Sequence, residues 1–189
     1  VSASGRVVCT RLRRWGWAGA LSALALVLGG CAAPAGPQAM VASAPLASTG
    51  KQHPYSVAVT TLGGSDTGAL ESSNIANADL KAAIEDSIRA TGLFKRVVQG
   101  RDGDYALAVT VIQLSKPIFG ATFTVDMEAG WSLTRVSDQQ VLLRQVIKSS
   151  GVATMGEAFA GVTRLRLAVE AAARSNITQG LAAIGALAL

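Results

Sequence analysis

The chain has 189 residues, half of them hydrophobic and 15% charged, with 17 basic against 12 acidic side chains and a formal charge of +5. A lone histidine, His53, falls short of the three or four ligands a metal site usually takes. The isoelectric point near 9.7 would by itself suggest a nucleic acid or an anionic membrane as partner.

The amino-terminal region changes that reading. Arg6, Arg11, Arg13 and Arg14 form a positive, acid-free start, followed by an apolar run from Trp15 to Leu28 that closes in Gly29-Gly30 before Cys31. Basic region, apolar run and small residues describe a secretory signal peptide over residues 1–30. The run is short for a transmembrane helix, which needs ~20 residues. The first residue is Val rather than Met, as expected of an alternative start codon or a trimmed end. Leu28-Gly29-Gly30-Cys31 resembles the lipobox of bacterial lipoproteins. The resemblance implies cleavage between Gly30 and Cys31, a diacylglycerol on the Cys31 thiol and an acyl chain on the new amino group. An ordinary signal peptide with Cys31 there by chance is the competing reading. A Cys9–Cys31 disulfide would be lost with the signal. Burial contributes ~0.8 kcal/mol per CH₂, so two or three acyl chains anchor a protein almost permanently. Ala32 and Ala33, where inner-membrane lipoproteins commonly carry aspartate, imply by the same resemblance an outer-membrane, periplasm-facing location in a Gram-negative bacterium. With the four signal arginines gone, 13 of the 17 basic residues remain against 12 acidic ones, and the case for nucleic acid lapses.

Cys31 and the Ala-, Pro-, Gly- and Ser-rich stretch to residue 54 read as a lipidated flexible tether with a reach of roughly 25 Å. Residues 55–189 are then one periplasmic domain with a single core. "YSVAVTTL" is a first strand. In "NADLKAAIEDSIRATGLF", Leu80, Ile84 and Ile88 recur every fourth residue, Asn77 stands as N-cap and Gly92 as the stop. Val97 and Val98 mark a short strand, and "DYALAVTVIQLS" a longer one. "ATFTVDMEAGWSLTRV" alternates, with Phe123, Val125, Met127, Ala129, Trp131 and Leu133 on one face. Ser137 to Gln140 turn the chain into the strand "VLLRQVIKSS". A last helix runs from about Val162 into the 180s, with Leu165, Val169, Ala172, Ile177, Leu181 and Ile184 near one stripe. The expected architecture is α+β: a mostly antiparallel sheet of four to five strands with two helices packed on one face.

The helix, "TGLF", short strand, "DYALAV", long hairpin and closing helix resemble the periplasmic domains of penicillin-binding-protein activators, the curli secretion-channel lipoprotein and auxiliary lipoproteins of lipid-transporting ABC systems. "GVATMGEAFAGVTRLRLAVEAAARSNI" is similar to a small group of proteobacterial lipoproteins sometimes named UDP-N-acetylglucosamine acyltransferase. That name implies hexapeptide β-helix repeats and a working histidine, and the chain has neither.

Little in the sequence points to catalysis. Asp126 and Glu128 share a strand face, as an acid–base pair would, but their Ser and Thr neighbours read as a solvated face. "TLGGSDTG" lacks the spacing and lysine of a phosphate loop and reads as a mobile connection. Ser-His-Asp chemistry would have to use His53. No cofactor or metal is expected. The polar group Glu157, Arg164, Arg166, Glu170, Arg174 and Asn176 contains two i,i+4 pairs, Arg166–Glu170 and Glu170–Arg174. It reads either as a solvated helix face or, with Met155 and Phe159 of the adjoining Gly-rich loop, as a docking surface for an envelope protein with arginine as anchor. The expected function is non-enzymatic binding or scaffolding in the cell envelope, anchored through acyl chains on Cys31. A self-assembling homo-oligomer, a lipid-carrying component of a transport system and an envelope glycan- or lipid-modifying enzyme are the alternatives.

Overall fold

The computed structural model of the protein describes residues 32–42, 52–68 and 72–189. Residues 1–30, expected to be a signal peptide, and Cys31 lie outside the described residues. The elements, in chain order, are α1 (Pro37–Met40), β1 (His53–Leu62), α2 (Asn77–Thr91), β2 (Phe94–Val98), β3 (Tyr105–Ser115), β4 (Phe123–Arg135), β5 (Val141–Ala153) and α3 (Gly161–Gly185).

The five strands form one sheet in the order β2-β1-β3-β4-β5. Strands β3, β4 and β5 make the long antiparallel meander that the alternation predicts, with Trp131 opposite Val109 on one side and Gln145 on the other. Strand β1 departs from that pattern, because it is parallel to both its neighbours. The short β2 ends opposite Ala58, while β3 begins opposite Val57, so the chain between them steps across β1. Gly103 allows the crossing, since a Cβ there would meet the Ala58 amide nitrogen at 2.8 Å. Asp104 then locks it: its Oδ2 accepts hydrogen bonds from the Ser56 amide and hydroxyl, both at 2.7 Å.

The odd-numbered residues of β4 from Phe123 to Leu133 are all buried against the helices, as the alternation requires. On α2, Leu80, Ile84 and Ile88 are buried, and Gly92 ends the helix in the left-handed region at φ 65°. The N-cap is Ala76 rather than Asn77. Asn77 turns away from its own helix and accepts a hydrogen bond from the Gly64 amide at 2.9 Å, tying down the preceding loop. That loop is also held by Ser65 N donating to Ile75 O and by Asn74 N donating to Thr67 Oγ1, so its described part is pinned where a mobile connection was expected.

Helix α3 lies down the length of β4 and β5 at close range. Ala168, Ala172 and Ala173 are fully buried, and a Cβ on Gly151 of β5 would sit 2.2 Å from backbone atoms of Ala168 and Ala172. Another on Gly180 would meet the Trp131 ring at 2.5 Å. At this distance Asn176 spans the interior. Its Oδ1 accepts from the Trp131 indole N–H at 2.9 Å, and its Nδ2 donates to Ile147 O at 3.0 Å and Ser149 Oγ at 3.2 Å. A buried amide so satisfied fixes one register of helix against sheet.

Residues 32–42 do not form a tether. Ala35 and Met40 are fully buried in the same core as the sheet and helices. Ala35 N donates to Asn74 O at 3.2 Å, Gly36 N to Glu170 Oε1 at 3.0 Å and Ala42 N to the buried Ser87 hydroxyl at 2.9 Å. The compact unit therefore runs from Ala32 to Leu189. Small residues misled the sequence reading: Ala and Gly are common in linkers, but they also let a strap lie flat across two helices.

Replacing Trp131 by Ala removes a ring packed on Gly180 and orphans the Asn176 carbonyl. A loss of ~3–5 kcal/mol is expected, read as a lowered denaturant midpoint. An unchanged midpoint would contradict the packing described.

Candidate functional site

Topology sends several connections to one end of the sheet. β1 and β3 finish there, β4 begins there and β5 ends there, so the described parts of the connections, residues 63–68, 72–76, 116–122 and 154–160, share that end. Arg164, in the first turn of α3, draws two of them together. Its Nη1 donates to Ala158 O at 2.9 Å and Phe159 O at 3.1 Å, and its Nη2 donates to Gly120 O at 2.9 Å. The guanidinium also lies 4.8 Å from the centre of the Phe123 ring. Arg164 is buried, which removes it from any docking face.

Most of the other expected docking residues are occupied too. Glu157 Oε2 accepts from Thr154 N at 2.8 Å and Thr154 Oγ1 at 3.1 Å, closing a turn in the Gly-rich loop. Glu170 is buried, holds the Gly36 amide and faces Arg166 at 3.7 Å. Asn176 belongs to the core. Arg166 is partly buried and Arg174 is exposed, so the six polar residues do not form one surface.

The apolar members fare differently. Phe159 is 85% and Met155 48% exposed, and they share the loop end with Ile118 at 93% and Phe119 at 86%. Ile118 and Phe119 were missed, although the signal was present: an apolar pair between Pro117 and Gly120, in a hairpin loop where polar residues are the rule. Beside them opens a cleft of about 360 Å³ lined by Ala32, Ser72, Ser73, Pro117, Ile118, Phe123, Gly161, Val162 and Leu165. Lys116 borders it, donating to Ser73 O at 3.1 Å and Asn74 Oδ1 at 2.6 Å. The cleft thus has an apolar wall and two serines, and among the described residues its lining includes no carboxylate or imidazole.

The remaining polar candidates sit elsewhere. Asp126 accepts from the Ser150 hydroxyl and Glu128 pairs with Lys148 at 2.6 Å, both on the uncovered sheet face. His53, expected in a tether, is instead the first residue of β1, buried and 5.4 Å from the Phe94 ring centre. Burial lowers its pKa below the usual 6.5, partly opposed by a backbone hydrogen bond at Ile184. Among the described residues, no group of His, Cys, Asp or Glu is placed to hold a metal ion, and no helix is long and apolar enough to cross a membrane.

Neither a family model nor a curated protein matches the chain. Solved structures do share the fold. A Xanthomonas campestris protein of the DUF330 family is 17% identical over 77% of this chain and 89% of its own, with a TM-score of 0.53. A PelC dodecamer from Paraburkholderia phytofirmans is 16% identical over 75% and 95%, with a TM-score of 0.50. A Chlamydia trachomatis protein is 5% identical over 70% and 96%, with a TM-score of 0.52. At these identities the likeness is one of fold.

Two predictions separate structural from surface residues. Arg164→Ala frees three backbone carbonyls and should cost about 2–3 kcal/mol, whereas Arg166→Ala should cost under about 1 kcal/mol; paired denaturation curves read both. Because His53 is depressed in the fold, the unfolded chain takes up a proton first as pH falls. Stability should drop as pH goes below about 6.5, and His53→Phe should shrink that acid-side loss. A drop on the alkaline side instead would contradict this sign.

Proposed function

We propose that the chain is the precursor of a lipid-anchored protein of the bacterial outer membrane, whose periplasm-facing domain binds or scaffolds an envelope partner without catalysis. Residues 1–30 are the signal peptide and Cys31 carries the acyl chains. The observation that carries the reading is where the chain divides. The boundary between its two compact units falls between Cys31 and Ala32, at the cysteine of Leu28-Gly29-Gly30-Cys31. A cut before Cys31 removes the basic, apolar leader and leaves the folded unit whole.

A non-catalytic role is supported by the state of the polar side chains. Asp126, Glu128, Glu157 and Glu170 are each engaged in a structural bond, and the buried His53 packs on Phe94. Self-assembly is a second reading, favoured by the fold shared with a dodecameric PelC. Strand β5 is a sheet edge with Val146 and Val152 about half exposed. The native mass of the acylated protein in detergent decides between a monomer and a ring.

Cys31→Ser removes the acyl acceptor. The variant should take up no labelled palmitate and should leave the membrane fraction or accumulate unprocessed. Equal labelling of variant and parent would overturn the anchor.

A further inference from the structure

We infer that the end of the domain carrying Ile118, Phe119 and Phe159 is a membrane-docking surface, whose apolar tips enter the same lipid leaflet that holds the acyl chains. The inference rests on the lipid anchor at Cys31. Ile118, Phe119 and Phe159 are each at least 85% exposed, the most exposed large apolar side chains among the described residues. All three project from one end of the sheet, where the Arg164 guanidinium binds Phe159 O and Gly120 O at once. The tips are therefore presented by fastened loops. Exposed apolar groups clustered in this way mark a contact surface rather than ordinary surface scatter. Elsewhere, the exposed Ile112, Val146 and Val152 stand on the open sheet face among Thr110, Glu128, Lys148 and Ser150, without comparable concentration.

The occupant follows from where the anchor must attach. Ala33 O accepts a hydrogen bond from Ser73 Oγ at 2.8 Å, and Ala35 N donates to Asn74 O. Ala32 lines the cleft together with Ile118 and Val162. Two residues of chain span at most about 7 Å whatever their conformation, so acyl chains on Cys31 join the domain beside these tips. The leaflet receiving them is then within reach of Ile118, Phe119 and Phe159. Amphipathic segments that lie on membranes bury their apolar face ~5–10 Å into the headgroup and acyl boundary, a depth single side chains at a surface can begin to fill.

The test uses the acylated protein with one added cysteine, Phe119→Cys or Phe159→Cys, labelled with an environment-sensitive fluorophore. After acylation of Cys31 and loss of Cys9 with the signal, the added thiol is the one available. Ser137→Cys, in the turn at the far end of the sheet, is the control. In phosphatidylethanolamine–phosphatidylglycerol vesicles, probes at 119 and 159 should shift to the blue and be quenched by brominated acyl chains, while the probe at 137 stays aqueous. Protein that floats with vesicles but keeps all three probes aqueous overturns the docking surface and leaves the anchor standing. Protein that carries no acyl group and does not float overturns the anchor, and the inference with it. Blue-shifted probes that brominated lipid does not quench, in a protein whose native mass is a multiple of one chain, assign the surface to a second copy and overturn the inference.

Discussion

The close approach of α3 to β4 and β5 is the constraint on which the other features depend. Gly151 and Gly180 remove the side chains that would hold helix and sheet apart, and buried alanines keep the gap narrow. Only then can Asn176 reach the Trp131 indole and the β5 backbone together. With that register fixed, the rest of the helix is placed. Arg164 at its start falls within reach of the β3–β4 loop, and Glu170 in its middle meets the Gly36 amide. Ile184 at its end approaches His53. One helix thus positions both the strap of residues 32–42 and the loops that carry the exposed apolar tips.

What the sequence revealed and what it concealed follow from the range of the signals. Period-two alternation from Phe123 to Leu133 and the four-residue recurrence of Leu80, Ile84 and Ile88 are local, and both faces were read correctly. The parallel pairing of β1 is set by Gly103 and Asp104 meeting Ser56 and Ala58, about 45 residues away in the chain, and no local pattern reports such a contact. The strap was hidden for another reason. Its burial needs small residues on a surface built by α2 and α3, and the same composition describes a linker.

The charged residues of α3 show how spacing alone misleads. Arg166, Glu170 and Arg174 at intervals of four have the form of a solvated face with two ion pairs. In the fold Glu170 turns inward to a backbone amide of the strap, and Arg164, six residues earlier, sinks among carbonyls. A charged side chain is buried when enough partners replace its water, and those partners come from remote loops. Periodicity describes a helix, not what is laid across it. The apolar residues of the same region behave in the opposite way: Phe159 and Ile118, which a core could have used, remain outside.

The proposed anchor at Cys31 would have little slack, which would change what the domain can do. A twenty-residue tether would let it sample a shell of roughly 25 Å beneath the membrane in any orientation. The bonds from Ala33, Ala35, Gly36 and Ala42 to Ser73, Asn74, Glu170 and Ser87 hold residues 33–42 against the domain instead. On the proposed anchor at Cys31, the loop end would face the leaflet, while the β4–β5 turn and the carboxyl end of α3 would point away from it. A partner would then meet the domain in a fixed orientation, without the entropy of an untethered search. In that orientation the open sheet face, with its Glu128–Lys148 and Asp126–Ser150 pairs, would stand roughly upright on the membrane. Such an arrangement would suit the proposed scaffold, since neighbouring copies held at one height and one tilt would present their β5 edges and sheet faces side by side.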